Sequence, residues 1–204
     1  MPNASDFSDE DYYNPLDSQG TKQDAARILA EDPEFSAEKF YYCTDKMFAH
    51  KDILPVVQAD EPTHKPKAFW LSTGGDMGWF TWCIYEMPSW LPDYIYEVQV
   101  NLPSPGANSG LVRLDTKEDA VNFTNTFKDT TAQSFFTAID WKKVAQQYPI
   151  GIYVEDPRTL RYYANWLETW DVTSLALWNP KVAIQDMTPA YQYNKETNTY
   201  DKRS

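Results

Sequence analysis

The chain carries apolar positions in two rhythms, and each change of rhythm marks an element. Residues 24–31 read as a short helix. Residues 39–43 are a β-rich run that predicts a first strand. The Pro-rich stretch 45–67 reads as loop. Ala68, Phe69, Trp70 and Leu71 form a short continuous apolar run and predict a second, buried strand. Ser72 and Thr73 end that run, Gly74-Gly75 turns the chain, and residues 76–86 predict an aromatic helix with Asp76 as N-cap and Pro88 beyond its end. Tyr94–Val100 alternates apolar and polar residues as a half-buried strand does.

After a Pro/Ser/Gly/Asn loop, Leu111–Leu114 predicts a short strand. Thr116 followed by Asp119 has the spacing of a capping box, with Ala120, Phe123 and Phe127 on the buried face of the helix it starts. Trp141, Val144, Ala145 and Tyr148 give residues 139–148 a helical stripe. Residues 150–154 predict a buried strand, and Asp156-Pro157 supplies an N-cap and a first-turn proline. The helix that follows is expected to bury Leu160, Tyr163, Ala164, Leu167 and Trp170. Two last strands are read at 175–178 and 182–184. The order of elements is irregular and predicts an α+β fold: small, twisted, mostly antiparallel sheets with helices packed outside.

Residues 1–20 are rich in acidic and small polar residues and read as a mobile acidic tail. Residues 187–204 are polar and read as a second tail, leaving one domain at 21–186. Aromatic residues make up 16% of the chain, which raises the expected number of core side chains needing hydrogen-bond partners. The formal net charge of −12 argues against binding a phosphate backbone and permits a basic protein partner. Cys43 and Cys83 form neither a disulfide framework nor a zinc pattern. With no signal-peptide pattern and no membrane-spanning run, the expected location is the cytoplasm.

Chemistry-bearing motifs are sparse. His50 and His64 stand fourteen residues apart in the loop region, and no metal site is expected. GxSxG, Walker and GxGxxG patterns are absent. The strand end Ser72-Thr73, the Gly-Gly turn and the following helix start suit a polar ligand site that favours anionic groups. Glu155 follows a buried strand, a placement that serves to hydrogen-bond a sugar hydroxyl or to stabilise an oxocarbenium ion; the alternative is that it points to water while Asp156 caps the next helix. Tyr41, Tyr42 and Thr44 near the end of the first strand, and Trp70, Ser72 and Thr73 near the end of the second, would form an aromatic wall with hydroxyls if the strands are neighbours. Such a wall takes a flat ring such as nicotinamide or a nucleobase. Otherwise they are core and cap residues.

The strands Phe40-Tyr-Tyr-Cys-Thr44 and Phe69-Trp-Leu-Ser-Thr73, the Trp-rich helix, Tyr148-Pro-Ile-Gly-Ile152 and Trp166-Leu-Glu-Thr-Trp-Asp171 together resemble the ADP-ribosyltransferase-like proteins of phages and bacterial toxin systems, over residues 39–185 in element order. The resemblance implies NAD as substrate, held in a cleft between two small sheets. It implies Thr44 on the first strand, Ser72 and Thr73 on the second, nicotinamide stacked near Tyr42 or Trp70, and Glu155 stabilising the charge as nicotinamide leaves. The expected partner is a protein target or a nucleotide-like small molecule, in the host cytoplasm if the source is viral. Where the family has a His or Arg, this chain has Tyr42, which carries no charge. The alternative function is a non-catalytic acidic binding protein that blocks a partner or sequesters a ligand.

Overall fold

The computed structural model describes residues 20–104, 109–131 and 135–203. Except for Gly20, the expected acidic tail lies outside the described residues. The elements run α1 (Lys22–Ala30), β1 (Phe40–Thr44), β2 (Phe69–Thr73), α2 (Trp79–Glu86), β3 (Tyr94–Val100), β4 (Leu111–Leu114), α3 (Lys117–Phe127), α4 (Trp141–Gln147), β5 (Gly151–Val154), α5 (Pro157–Leu160), β6 (Ser174–Leu177), α6 (Pro180–Ala183), β7 (Ile184–Asn194) and β8 (Thr199–Lys202), with 3-10 turns at His50–Asp52, Pro88–Trp90 and Asn165–Thr169.

The α+β class holds, but the small sheets expected from the sequence are replaced by one mixed sheet of eight strands, ordered β4-β5-β6-β2-β1-β3-β7-β8. Pairing is antiparallel except between β4 and β5, which are parallel and joined through α3 and α4. A parallel neighbour needs such a crossover because a tight hairpin can only reverse direction.

Alternation along the strands assigns the two faces. Tyr41, Ile95 and Tyr191 pack with Ala26 and Leu29 of α1 and Phe80, Cys83 and Ile84 of α2. Farther along the same face, Val112, Leu114, Ile152, Val154 and Ala176 pack under α3, α4, α5 and the 165–169 turn. Phe40, Tyr42, Phe69, Leu71, Tyr96 and Val98 point to the other face, where Ile53, Phe48, Leu102 and α6 cover them. One face is thus covered by helices in two groups, the other mainly by loop segments.

Local chemistry explains the element ends. Thr116 and Asp119 form the expected capping box at α3, and Thr21 and Asp24 form a second at α1. Asp156 caps α5, accepting from the Thr159 N–H at 3.1 Å, with Pro157 in the first turn. The helix expected beyond it stops at Leu160 and resumes only as the 165–169 turn, leaving Tyr163 46% exposed rather than buried. Ile139, placed by the sequence inside a helix, instead bridges to Thr63 and Lys128, so α4 starts at Trp141 with Asp140 as its cap. Buried indoles find acceptors: Trp141 Nε1 donates to the Thr63 carbonyl (2.9 Å), Trp166 to Thr124 Oγ1 (2.9 Å) and Trp178 to the Tyr148 carbonyl (2.8 Å).

The C-terminal segment is corrected more substantially. Residues 182–184, read as a strand, close α6 and open β7. Residues 187–204, read as a tail, continue β7 and add β8. The reading failed because two register shifts in the β3–β7 pair break the alternation, so that the buried Ile184, Met187 and Tyr191 fall three and four apart. Pro189 pairs with Tyr96 beside one shift, a place where a strand tolerates proline. Tyr200 anchors β8 by donating its hydroxyl to the Pro92 carbonyl at 2.7 Å. No helix among the described residues is long and apolar enough to cross a membrane.

Candidate functional site

The two helix groups flank the middle of the sheet. Between them, above β1, β2 and β6, lies a pocket of about 300 Å³. Its floor comes from alternate strand residues on the helix-covered face: Tyr41, Cys43, Trp70, Ser72 and Ser174. Trp79 of α2 forms one wall. Thr169 to Val172, the stretch leading into β6, forms the other. Trp170 meets Trp70 edge to face, with centroids 4.9 Å apart. The Lys65 ammonium lies 5.7 Å from the centroid of the Trp70 ring.

Polar groups of the pocket differ in how far they are already engaged. Ser72 Oγ donates to the Thr173 carbonyl at 2.8 Å and accepts the Trp79 N–H at 2.9 Å, so it ties β2 to the start of α2 and to the lead into β6. Asp171 accepts from Arg161 Nη2 at 3.3 Å, and Arg161 also donates to the Trp170 carbonyl at 3.0 Å. Thr169 Oγ1 is buried without a hydrogen-bond partner among the described residues. Burial lowers the pKa of Lys65, and the negative charge of Asp171 partly opposes that shift. Burial raises the thiol pKa of Cys43 and pushes that of Cys83, on the buried face of α2, up to about 12.

The segment that looked most like a ligand loop is largely architectural. The helix expected from Asp76 begins at Trp79, with Gly78 as its N-cap and Ser72 supplying the capping oxygen from the strand. Asp76 is exposed. Gly75 sits at φ +69°, the left-handed region that glycine enters without cost.

The sequence-derived site residues separate into groups. Trp70 and Ser72 share the pocket. Tyr42 borders it along the strand, but its ring lies on the other face, stacked on Phe69 at 4.4 Å. β1 and β2 are neighbours, as the aromatic-wall idea required, yet they run antiparallel, with Phe40 opposite Thr73. Thr44 is therefore at the far end of the sheet from Ser72 and Thr73, where its Oγ1 accepts the Lys46 N–H at 3.3 Å. Thr73 is buried beyond the pocket floor. Glu155 follows Val154, which pairs with Ser174, itself paired with Ser72. That row puts Glu155 at the Ser72 end of the sheet, but it is exposed and outside the pocket lining.

Lys65, Trp79, Thr169 and Asp171 were not singled out from the sequence as site residues. Lys65 sits in a Pro-rich loop, and the others join the site only through long-range packing; the exposed charge pattern gave no signal for them. The aromatic surface continues outward from Trp79, which stacks on Trp82 at 4.9 Å and 17° and approaches the half-exposed Trp90 at 5.8 Å. Among the described residues, no group of three or more metal-ligating side chains gathers. Compared with protein-family models, curated proteins and solved structures, the chain matches none.

Proposed function

We propose that this protein binds and sequesters a flat, ring-containing small molecule in the pocket between Trp70, Trp79 and Trp170, without transforming it. The observation that carries this reading is the composition of the pocket: three indoles and Tyr41 around a cavity of about 300 Å³. Aromatic walls favour stacked or edge-on rings, each good pair contributing ~0.5–1.5 kcal/mol beyond area burial. The hydroxyl and carboxylate best placed to act chemically, Ser72 and Asp171, are engaged within the fold. Titration of tryptophan fluorescence with nicotinamide, nucleosides and indole derivatives tests it. A ring ligand at a hundred times its Kd should add ~2.7 kcal/mol of stability, and Trp70→Ala should weaken binding roughly tenfold. Failure of every ring compound to bind would sink the reading.

The second reading is ADP-ribosyltransferase-like glycosyl transfer from NAD. It is favoured by Trp70 and Ser72 lining one pocket and by Glu155 standing at the same end of the sheet. Incubation with labelled NAD decides it: transfer or nicotinamide release that falls ~10²–10³-fold in Glu155→Gln supports it. No release by the wild type removes it and leaves the binding role untouched.

A further inference from the structure

The charges around the pocket are unevenly matched. Lys65 is the one cationic side chain in its lining, and no carboxylate lies within ion-pair distance of its ammonium among the described residues. The acidic group of the lining, Asp171, faces the Arg161 guanidinium at 3.3 Å. Its charge is therefore met directly by a cation, while Lys65 feels Asp171 only at longer range. Lys65 is exposed as a residue; its backbone carbonyl accepts from Thr63 Oγ1 at 2.6 Å, and its ammonium lies 5.7 Å from the centroid of the Trp70 ring. Thr169 also lines the pocket, but its hydroxyl oxygen is itself buried and leaves Lys65 as the polar side chain there not already held by another.

We infer that the pocket selects a flat ring carrying one carboxylate, with the ring against Trp70, Trp79 and Trp170 and the carboxylate at Lys65. The inference rests on the ring-binding reading and names the charge of its ligand. Charge-assisted hydrogen bonds are shorter and about twice as strong as neutral ones, so an acid should be distinguished from its neutral amide of the same shape. The net charge of −12 works against any anion at long range. Selection for one must therefore come from contact, where a partly desolvated ammonium is screened least.

The test uses acid and amide pairs that differ only in charge: nicotinate with nicotinamide, and indole-3-acetate with indole-3-acetamide. Binding to the full chain is measured by calorimetry or tryptophan fluorescence. The acid should bind about tenfold more tightly than its amide. Lys65→Met, which keeps the apolar stem, should remove that preference by weakening the acid and leaving the amide unchanged; Lys65→Gln should do the same. Trp70→Ala should weaken both members of a pair. Equal binding of acid and amide, or a preference that survives both Lys65 variants, overturns the charge inference while ring binding stands. If no member of either pair binds, the ring-binding reading falls and takes this inference with it.

Discussion

Ser72 shows what one hydroxyl does when three segments converge on it. Ser72→Ala would leave the Trp79 N–H and the Thr173 carbonyl without their partner, both at a buried site. Loss of a helix cap and of buried satisfaction costs ~1–3 kcal/mol, and urea unfolding should show that shift in midpoint. The residue was legible in the sequence as a polar stop to a strand. Its role was not, because its acceptor lies 101 positions away. Cysteine behaviour follows from burial in the same direct way. Burial disfavours the thiolate, so Cys83, held near a pKa of about 12, should resist a thiol-specific reagent at pH 8 and react fully after unfolding. The sign for stability is fixed as well. An unfolded thiol ionises near pH ~8.5, whereas the folded one does not until about 12, so stability falls as pH rises between these values. Denaturant midpoints measured from pH 8 to 11 should decline, and less so in Cys83→Ala.

Elements with strong local signals matched their sequence reading: Tyr94–Val100, Leu111–Leu114 and the Thr116 capping box need only nearest neighbours to be specified. Elements governed by distant contacts did not. The start of α2 moves from Asp76 to Trp79 because a strand hydroxyl, rather than the local carboxylate, meets its first amide. A Cβ at Gly78 would fall 2.2 Å from the Thr73 carbonyl oxygen, so the strand and helix can approach this closely only without a side chain there. Gly78→Ala should therefore cost ~1–3 kcal/mol through forced backbone shifts. It should also weaken ring binding, since α2 carries Trp79 into the pocket. Thermal melting and fluorescence titration of the same variant separate the two effects.

At the scale of the molecule, strand order was the least legible property. β2 sits between β1 and β6, partners drawn from opposite parts of the chain, and no short-range pattern encodes that choice. The site follows from it. With β2 paired to β6, Trp70 and Ser72 face the 169–172 stretch that leads into β6, and α2, which follows β2, closes the other side. The C-terminal strands complete this arrangement. Lys202 on β8 pairs with Glu34, beyond α1, and Tyr193 Oη bonds Asn198 at 2.6 Å within the hairpin. Ending the chain after Asp186 would strip β3 of most of its β7 partner and expose an open edge. That truncation should abolish cooperative melting and promote aggregation, whereas removal of a true tail would change neither.

Trp79 belongs both to the pocket wall and to the nearly parallel pair it makes with Trp82. Two indoles at that spacing couple their electronic transitions, so the near-ultraviolet absorption and emission of each depend on the other. A ring bound as proposed against Trp79 should therefore alter the optical signal of both, which a titration followed by near-ultraviolet dichroism and emission checks.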